Sequence, residues 1–195
     1  MAAADGRKTE RRQSVVHWWL LAFVWGLAEA TLFFIVPDVL LTWISARVAR
    51  RTAVIASVFA ALGAVAGAAI LLWWMRHDAA GVVSAVLALP GIDDDLLANV
   101  RSDVAQGWFR ALVVGAFSGV PYKLFAVQAS ETGLTASAFL FASFAARLPR
   151  FLLTALAADF LAARLRRWAR AGWIRPCWLI WWLGFYAVYF YAMGW

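Results

Sequence analysis

The residues predict an all-α, multi-pass membrane protein: two inverted re-entrant-hairpin-plus-helix units followed by a final C-terminal transmembrane helix. Three observations predict it. The first is an apolar excess: the 195 residues are 65% hydrophobic and only 15% charged, with a mean hydropathy of +0.74. Soluble domains run at roughly 45–50% apolar and about 25% charged. A core of this size cannot hide the surplus, which must therefore face lipid. The second is that two of the long apolar segments are interrupted by Pro or Gly. The third is the gathering of basic residues between apolar segments rather than along them.

Apolar segments cover residues 16–48, 53–75, 108–127, 134–163 and 178–195. Crossing ~30 Å of hydrocarbon takes about 20 helical residues, so the second, fourth and fifth each fit one span. The first is too long for one span and short for two, and Pro37-Asp38 breaks its middle. The third is interrupted at Ser118-Gly119-Val120-Pro121. One integral membrane domain, 1–195, results. It has a basic tail (1–15), a first hairpin plus span (16–75) and a polar loop (76–107). A second hairpin plus span (108–163), a basic loop (164–176) and a last span (177–195) complete it.

Charge gives the direction of travel, because cytoplasmic loops are enriched in Lys and Arg. Arg7, Lys8, Arg11 and Arg12 precede the first segment, and Arg47, Arg50 and Arg51 follow it. With both ends on the cytoplasmic side, the segment enters and returns, turning near Pro37. The next connection carries Asp78, Asp93, Asp94, Asp95 and Asp103 against Arg76 and Arg101 and fits the outside. Arg164, Arg166, Arg167, Arg170 and Arg175 make the last connection cytoplasmic. The segment around Gly119 and Pro121 must then also return to its own side, the outer one. Broken backbone inside a bilayer needs shielding from lipid, so the two hairpins are expected to face each other. Inverted units with broken helices are a common transporter plan.

Other features exclude rather than assign. A formal charge of +7 would suggest nucleic acid in a soluble protein, but here it reads as topology, and no nucleic-acid partner is expected. Cys177 is the single cysteine, and His17 and His77 are the two histidines. They provide neither a disulfide framework nor a metal site, and no cofactor is expected. His17 beside Trp18 and Trp19 reads as an interfacial residue. Asp93-Asp94-Asp95 reads as a solvated helix start favoured by the helix dipole, with cation binding the sharper alternative. Residues 96–104 fit an amphipathic surface helix. Gly63-Ala64-Val65-Ala66-Gly67 has the small-residue spacing of close helix packing. Ala28-Glu29-Ala30 mimics a signal-peptidase site and the early Arg pair a twin-arginine signal. The apolar run continues through Leu32–Val36, as an uncleaved anchor does.

Charges within apolar segments cost at least ~2.5–3.5 kcal/mol near a helix centre and tend to be functional or paired. Five stand out. Glu29 lies within the first segment and Asp38 at its break; Lys123 follows Pro121 at the second break. Arg147 and Arg150 are three apart and so share a helix face, with Pro149 between them. In one reading acids and bases neutralise each other as a structural clamp, with Asp159 a further partner. In the other, Lys123, Arg147 and Arg150 bind an anionic group while Glu29 and Asp38 serve proton coupling.

Glu29-Ala-Thr-Leu-Phe-Phe-Ile-Val-Pro37-Asp38 resembles the first hairpin signature of the DedA family, also called VTT or SNARE-associated Golgi-like proteins. Gly63–Gly67 is similar to that family's small-residue helix. Ser118-Gly119-Val120-Pro121-Tyr122-Lys123 resembles its second hairpin, and residues 139–163 its following span. The resemblance covers most of residues 22–163. It implies facing re-entrant hairpins in a bacterial cytoplasmic membrane and lipid translocation: recycling of undecaprenyl phosphate in bacterial members, phospholipid scrambling in eukaryotic ones. Glu29 and Asp38 match the family's acids, and Lys123 matches the second of its two arginines. The first arginine falls on Phe117 and a frequent acid falls on Ala68, as in a divergent branch. Arg147 and Arg150 are then the substitutes for the missing charge.

The leading expectation is a non-enzymatic flippase or scramblase whose partners are membrane lipids, bound through an anionic headgroup. A proton-coupled transporter of a small solute is the second transport reading. A non-transporting scaffold for envelope maintenance is the different-class alternative. Self-association into a homo-oligomer stays open. The Trp- and Tyr-rich last segment is expected to form an aromatic belt and a packing face through Trp181, Trp182, Tyr186, Tyr189 and Tyr191.

Overall fold

A computed structural model describes the backbone of residues 2–168 and 171–192, and the side chains of 15–167 and 172–191. Among the described residues every regular element is helical. The elements are α1 (Ala2–Ala30), α2 (Asp38–Arg47), α3 (Arg50–His77), α4 (Ala79–Leu87) and α5 (Asp94–Ser118). They continue with α6 (Tyr122–Glu131), α7 (Ala136–Trp168), a 3-10 turn (Ala171–Trp173) and α8 (Ile174–Ala192). The side chains of Arg7, Lys8, Arg11 and Arg12, and Arg170 and Trp195, lie outside the described residues.

The breaks fall where Pro and Gly foretell them. α1 stops at Ala30, residues 31–37 are irregular, and Pro37 precedes the first turn of α2. α5 stops at Ser118 because Gly119 takes a left-handed conformation (φ 87°), which a residue without a Cβ adopts cheaply. Pro121 then starts α6. The surface helix expected at 96–104 and the apolar segment from 108 form one α5, which leaves helical geometry at Gly107. The tail and the start of the basic loop are helical, because α1 begins at Ala2 and α7 runs to Trp168. Pro149 sits inside α7 without ending it.

Close packing fixes the directions of the helices. Gly63 lies against Phe23 and Leu27, and Gly67 against Leu27 and Ala30. Trp19 stacks on Phe59 with centroids 5.9 Å apart. The register advances along both helices together, so α1 and α3 run parallel, nearly backbone to backbone. A Cβ at Gly67 would come within 2.6 Å of the Leu27 carbonyl oxygen, so the small-residue face is a packing surface, as expected. Parallel α1 and α3 require residues 31–49 to bring the chain back to the level where it started, which α2 does. α7 runs with α2, since Asp38 meets Arg150, Ser45 bonds Ala155 and Ala46 bonds Arg166. It therefore opposes α3. α5 and α6 are antiparallel: Gly115 packs on Phe125 and Arg101 pairs with Glu131.

Much of the buried face of α1 and α3 is built of small residues: Ala22, Ala53, Ala56, Ala60, Ala61, Ala64 and Ala68 are buried. The exterior carries large apolar ones, with Trp73 62%, Phe141 78% and Ile180 70% exposed. Water drives the opposite arrangement, and small residues at helix contacts are what lipid permits. Among the described residues, two helices, Arg50–His77 and Ala136–Arg167, are long and apolar enough to cross a membrane. Both observations point to membrane association.

Candidate functional site: a buried charged cluster between two helix breaks

The irregular segment 31–37 exposes backbone groups that no helix satisfies, and side chains from distant elements reach in to satisfy them. Trp25 Nε1 donates to the Ile35 carbonyl at 2.9 Å. The Val36 N–H donates to the Tyr186 hydroxyl oxygen at 3.0 Å. Lys123 Nζ donates to the Phe33 carbonyl at 2.7 Å. Lys123 follows the second break, so the two breaks meet through this bond. The expectation that the two breaks meet inside the protein has a direct contact behind it.

Around this contact lie the other charges predicted from the sequence. Glu29 is the penultimate residue of α1 and Asp38 the first of α2, where a carboxylate also suits the helix dipole. Arg147 and Arg150 project from α7, Arg147 onto Glu29 and Arg150 onto Asp38 at 2.9 Å. Lys123, Arg147 and Asp38 are 2%, 3% and 3% exposed, and Pro37 beside them is buried. All five charged residues named from the sequence come together, the acids already paired. Asp159 stays outside, half-buried and in no ion pair among the described residues.

The pairing is incomplete in sign. Three cations face two carboxylates, and Lys123 has a carbonyl rather than a carboxylate for a partner. The Arg147 guanidinium lies 4.3 Å from the Tyr122 ring centroid, a cation–π contact that helps hold a desolvated cation. Arg147 Nε and the Tyr122 hydroxyl are buried without hydrogen-bond partners. Buried polar atoms are seldom left so. The cluster thus has spare donors and one surplus positive charge. Among the described residues no three His, Cys, Asp or Glu side chains gather as a metal site.

Phe117, where the first family arginine was expected, is 58% exposed, so that position lies outside the cluster. Ala68 is buried in the core beside α1. Sequence reasoning missed the residues that hold the first break. α8 lies antiparallel along it: Trp43 meets Trp178 at 5.0 Å and Phe34 meets Phe190 at 5.8 Å. Between these, Trp178 and Trp182 each donate Nε1 to Thr42 Oγ1 at 3.0 Å. The packing face is therefore Trp178, Trp182, Tyr186 and Phe190, whereas Trp181 and Tyr191 point outward at 69% and 86% exposure. The available signal was the need of a Pro-broken segment for donors, which a Trp- and Tyr-rich helix can supply.

No family model, curated protein or solved structure matches the chain significantly.

Proposed function

We propose that this chain is a DedA-type, multi-pass protein of a bacterial cytoplasmic membrane that translocates an anionic lipid headgroup between leaflets. The substrate class is a lipid phosphate, such as undecaprenyl phosphate or a phospholipid. In this reading α1–α2 and α5–α6 are re-entrant hairpins from opposite faces, with α3, α7 and α8 as spans. The carrying observation is the Lys123–Phe33 contact, which joins the two breaks inside a buried cluster of net positive charge.

The chemistry is an exchange of partners. A phosphate reaching the cluster replaces the Phe33 carbonyl on Lys123 and the Glu29 carboxylate on Arg147, while its tail stays in lipid. A phosphate offers acceptors in the geometry that guanidinium groups match best. A proton taken up by Glu29 releases Arg147, and its loss restores the pair, which makes Glu29 the coupling group and Asp38 its counterpart on Arg150.

The test is movement of labelled undecaprenyl phosphate and of phospholipid in proteoliposomes, comparing wild type with Glu29→Gln and Lys123→Ala at equal reconstitution. Flux lost in both variants is the expected result. No flux of either lipid from folded wild-type protein sinks the proposal. The scaffold reading is favoured by one observation: both carboxylates are already paired with arginines, as a structural clamp requires. It predicts lower stability in the variants and no lipid flux in any of them.

A further inference from the structure

A groove of about 310 Å³ opens between the first hairpin and α8, lined by Trp25, Val39, Leu40, Trp43, Trp178, Leu179 and Arg175. We propose that it seats one anionic membrane lipid, with the headgroup at Arg175 and Arg47 and one chain running over Leu40 and Leu179 toward Trp25. The proposal rests on the translocation reading only for what happens to that lipid next: the groove is its loading place.

The groove is graded along its length. Because α8 runs antiparallel to residues 34–43, Arg175 falls at the Trp43 end. There the Arg47 guanidinium also lies 5.6 Å from the Trp43 ring centroid. Among the described lining residues there is no acid, and Arg166, bonded to the Ala46 carbonyl next to Arg47, adds positive charge at the same end. Away from Arg175 the described lining is entirely apolar or indole. A basic, Trp-flanked mouth on an apolar slot complements an amphiphile with a negative head. Arg and Trp are the side chains suited to the membrane–water boundary. The slot cannot admit a helix, whose diameter with side chains is about 10–12 Å, but its volume lies at the lower end of small-molecule sites at ~300 Å³. α2 is its partition from the charged cluster: Val39 faces the groove while the adjacent Asp38 holds Arg150.

The full chain in phosphatidylcholine vesicles, doped with phosphatidylglycerol carrying a diazirine in one acyl chain, tests this directly. A phosphatidylcholine probe with the same chain is the control. After photolysis, adducts mapped by mass spectrometry are expected on Trp25, Val39 and Leu179, several-fold more with the anionic probe. Arg175→Ala and Arg47→Ala should each cut that labelling roughly fivefold, the worth of one basic side chain near a charged lipid. Leu179→Trp should block labelling of Trp25 while leaving that of outward-facing Ile180 unchanged, which also reports an intact fold. Equal labelling by both probes, or labelling indifferent to both arginines, overturns the proposal. Headgroup-selective labelling without lipid flux keeps the groove and removes the translocation reading; flux with unselective labelling does the reverse.

Discussion

The two helix breaks solve one problem in opposite ways. The first is long, seven irregular residues from 31 to 37, and carries acids at its edges, Glu29 and Asp38. Its backbone is held by side chains from α1, α6 and α8. The second is short, Gly119-Val120-Pro121, and a left-handed glycine followed by a proline turns the chain with little backbone left over. It carries a base, Lys123, and that base goes to the first break. The long break is a receiver of donors and the short break a supplier. An acidic loop that needs support and a basic loop that gives it form a complementary pair. Opening the contact between them exposes both a carbonyl and an ammonium group to whatever enters.

Removing the support of the acidic side should cost most. Arg147→Ala leaves Glu29 buried and unpaired, an expected loss of about 3–5 kcal/mol in chemical denaturation of the detergent-solubilised protein. The double variant Glu29→Gln, Arg147→Gln should regain most of it without regaining lipid flux. Lys123→Ala strips the Phe33 carbonyl of its donor and should cost about 1–3 kcal/mol, together with flux. If Lys123→Ala proves as damaging as Arg147→Ala, the division into receiver and supplier breaks down. Gly63→Leu forces α1 and α3 apart and should destabilise by about 1–3 kcal/mol, read as a lower melting temperature. A null effect would mean the first hairpin is not fused to α3 as described.

Smaller changes sharpen the contrast. Tyr186→Phe removes one hydrogen bond from the first break and should cost about 1 kcal/mol, seen as faster amide exchange at Val36 with the second break unaltered. Arg101→Ala breaks an exposed ion pair between the arms of the second hairpin. It should change stability by less than about 1 kcal/mol, because that hairpin is held by apolar packing instead.

The all-helical architecture and the positions of both breaks were legible because hydropathy and Pro/Gly punctuation act locally. The five charged residues were legible for a different reason: an ionisable side chain in an apolar segment is conspicuous wherever the segment ends up. Which acid takes which base was not. Arg147 with Glu29 and Arg150 with Asp38 follow from α7 running alongside α2, a packing fact between residues more than a hundred positions apart. The support of the first break was hidden for a related reason. Trp178, Trp182 and Tyr186 look the same as Trp181 and Tyr191 in a list of residues. Only the docked position of α8 divides them into hydrogen-bonding and outward-facing sets.

The bond from Val36 to Tyr186 spans 150 residues of chain. At ribosomal rates of ~5–20 residues per second, Tyr186 emerges roughly 8–30 s after the loop it serves. For that interval the Val36 N–H lacks its partner and must be met by water or a chaperone. α8 is thus the latch of biogenesis as well as a wall of the finished protein: a ribosome stalled before residue 174 should leave the first break open to proteases.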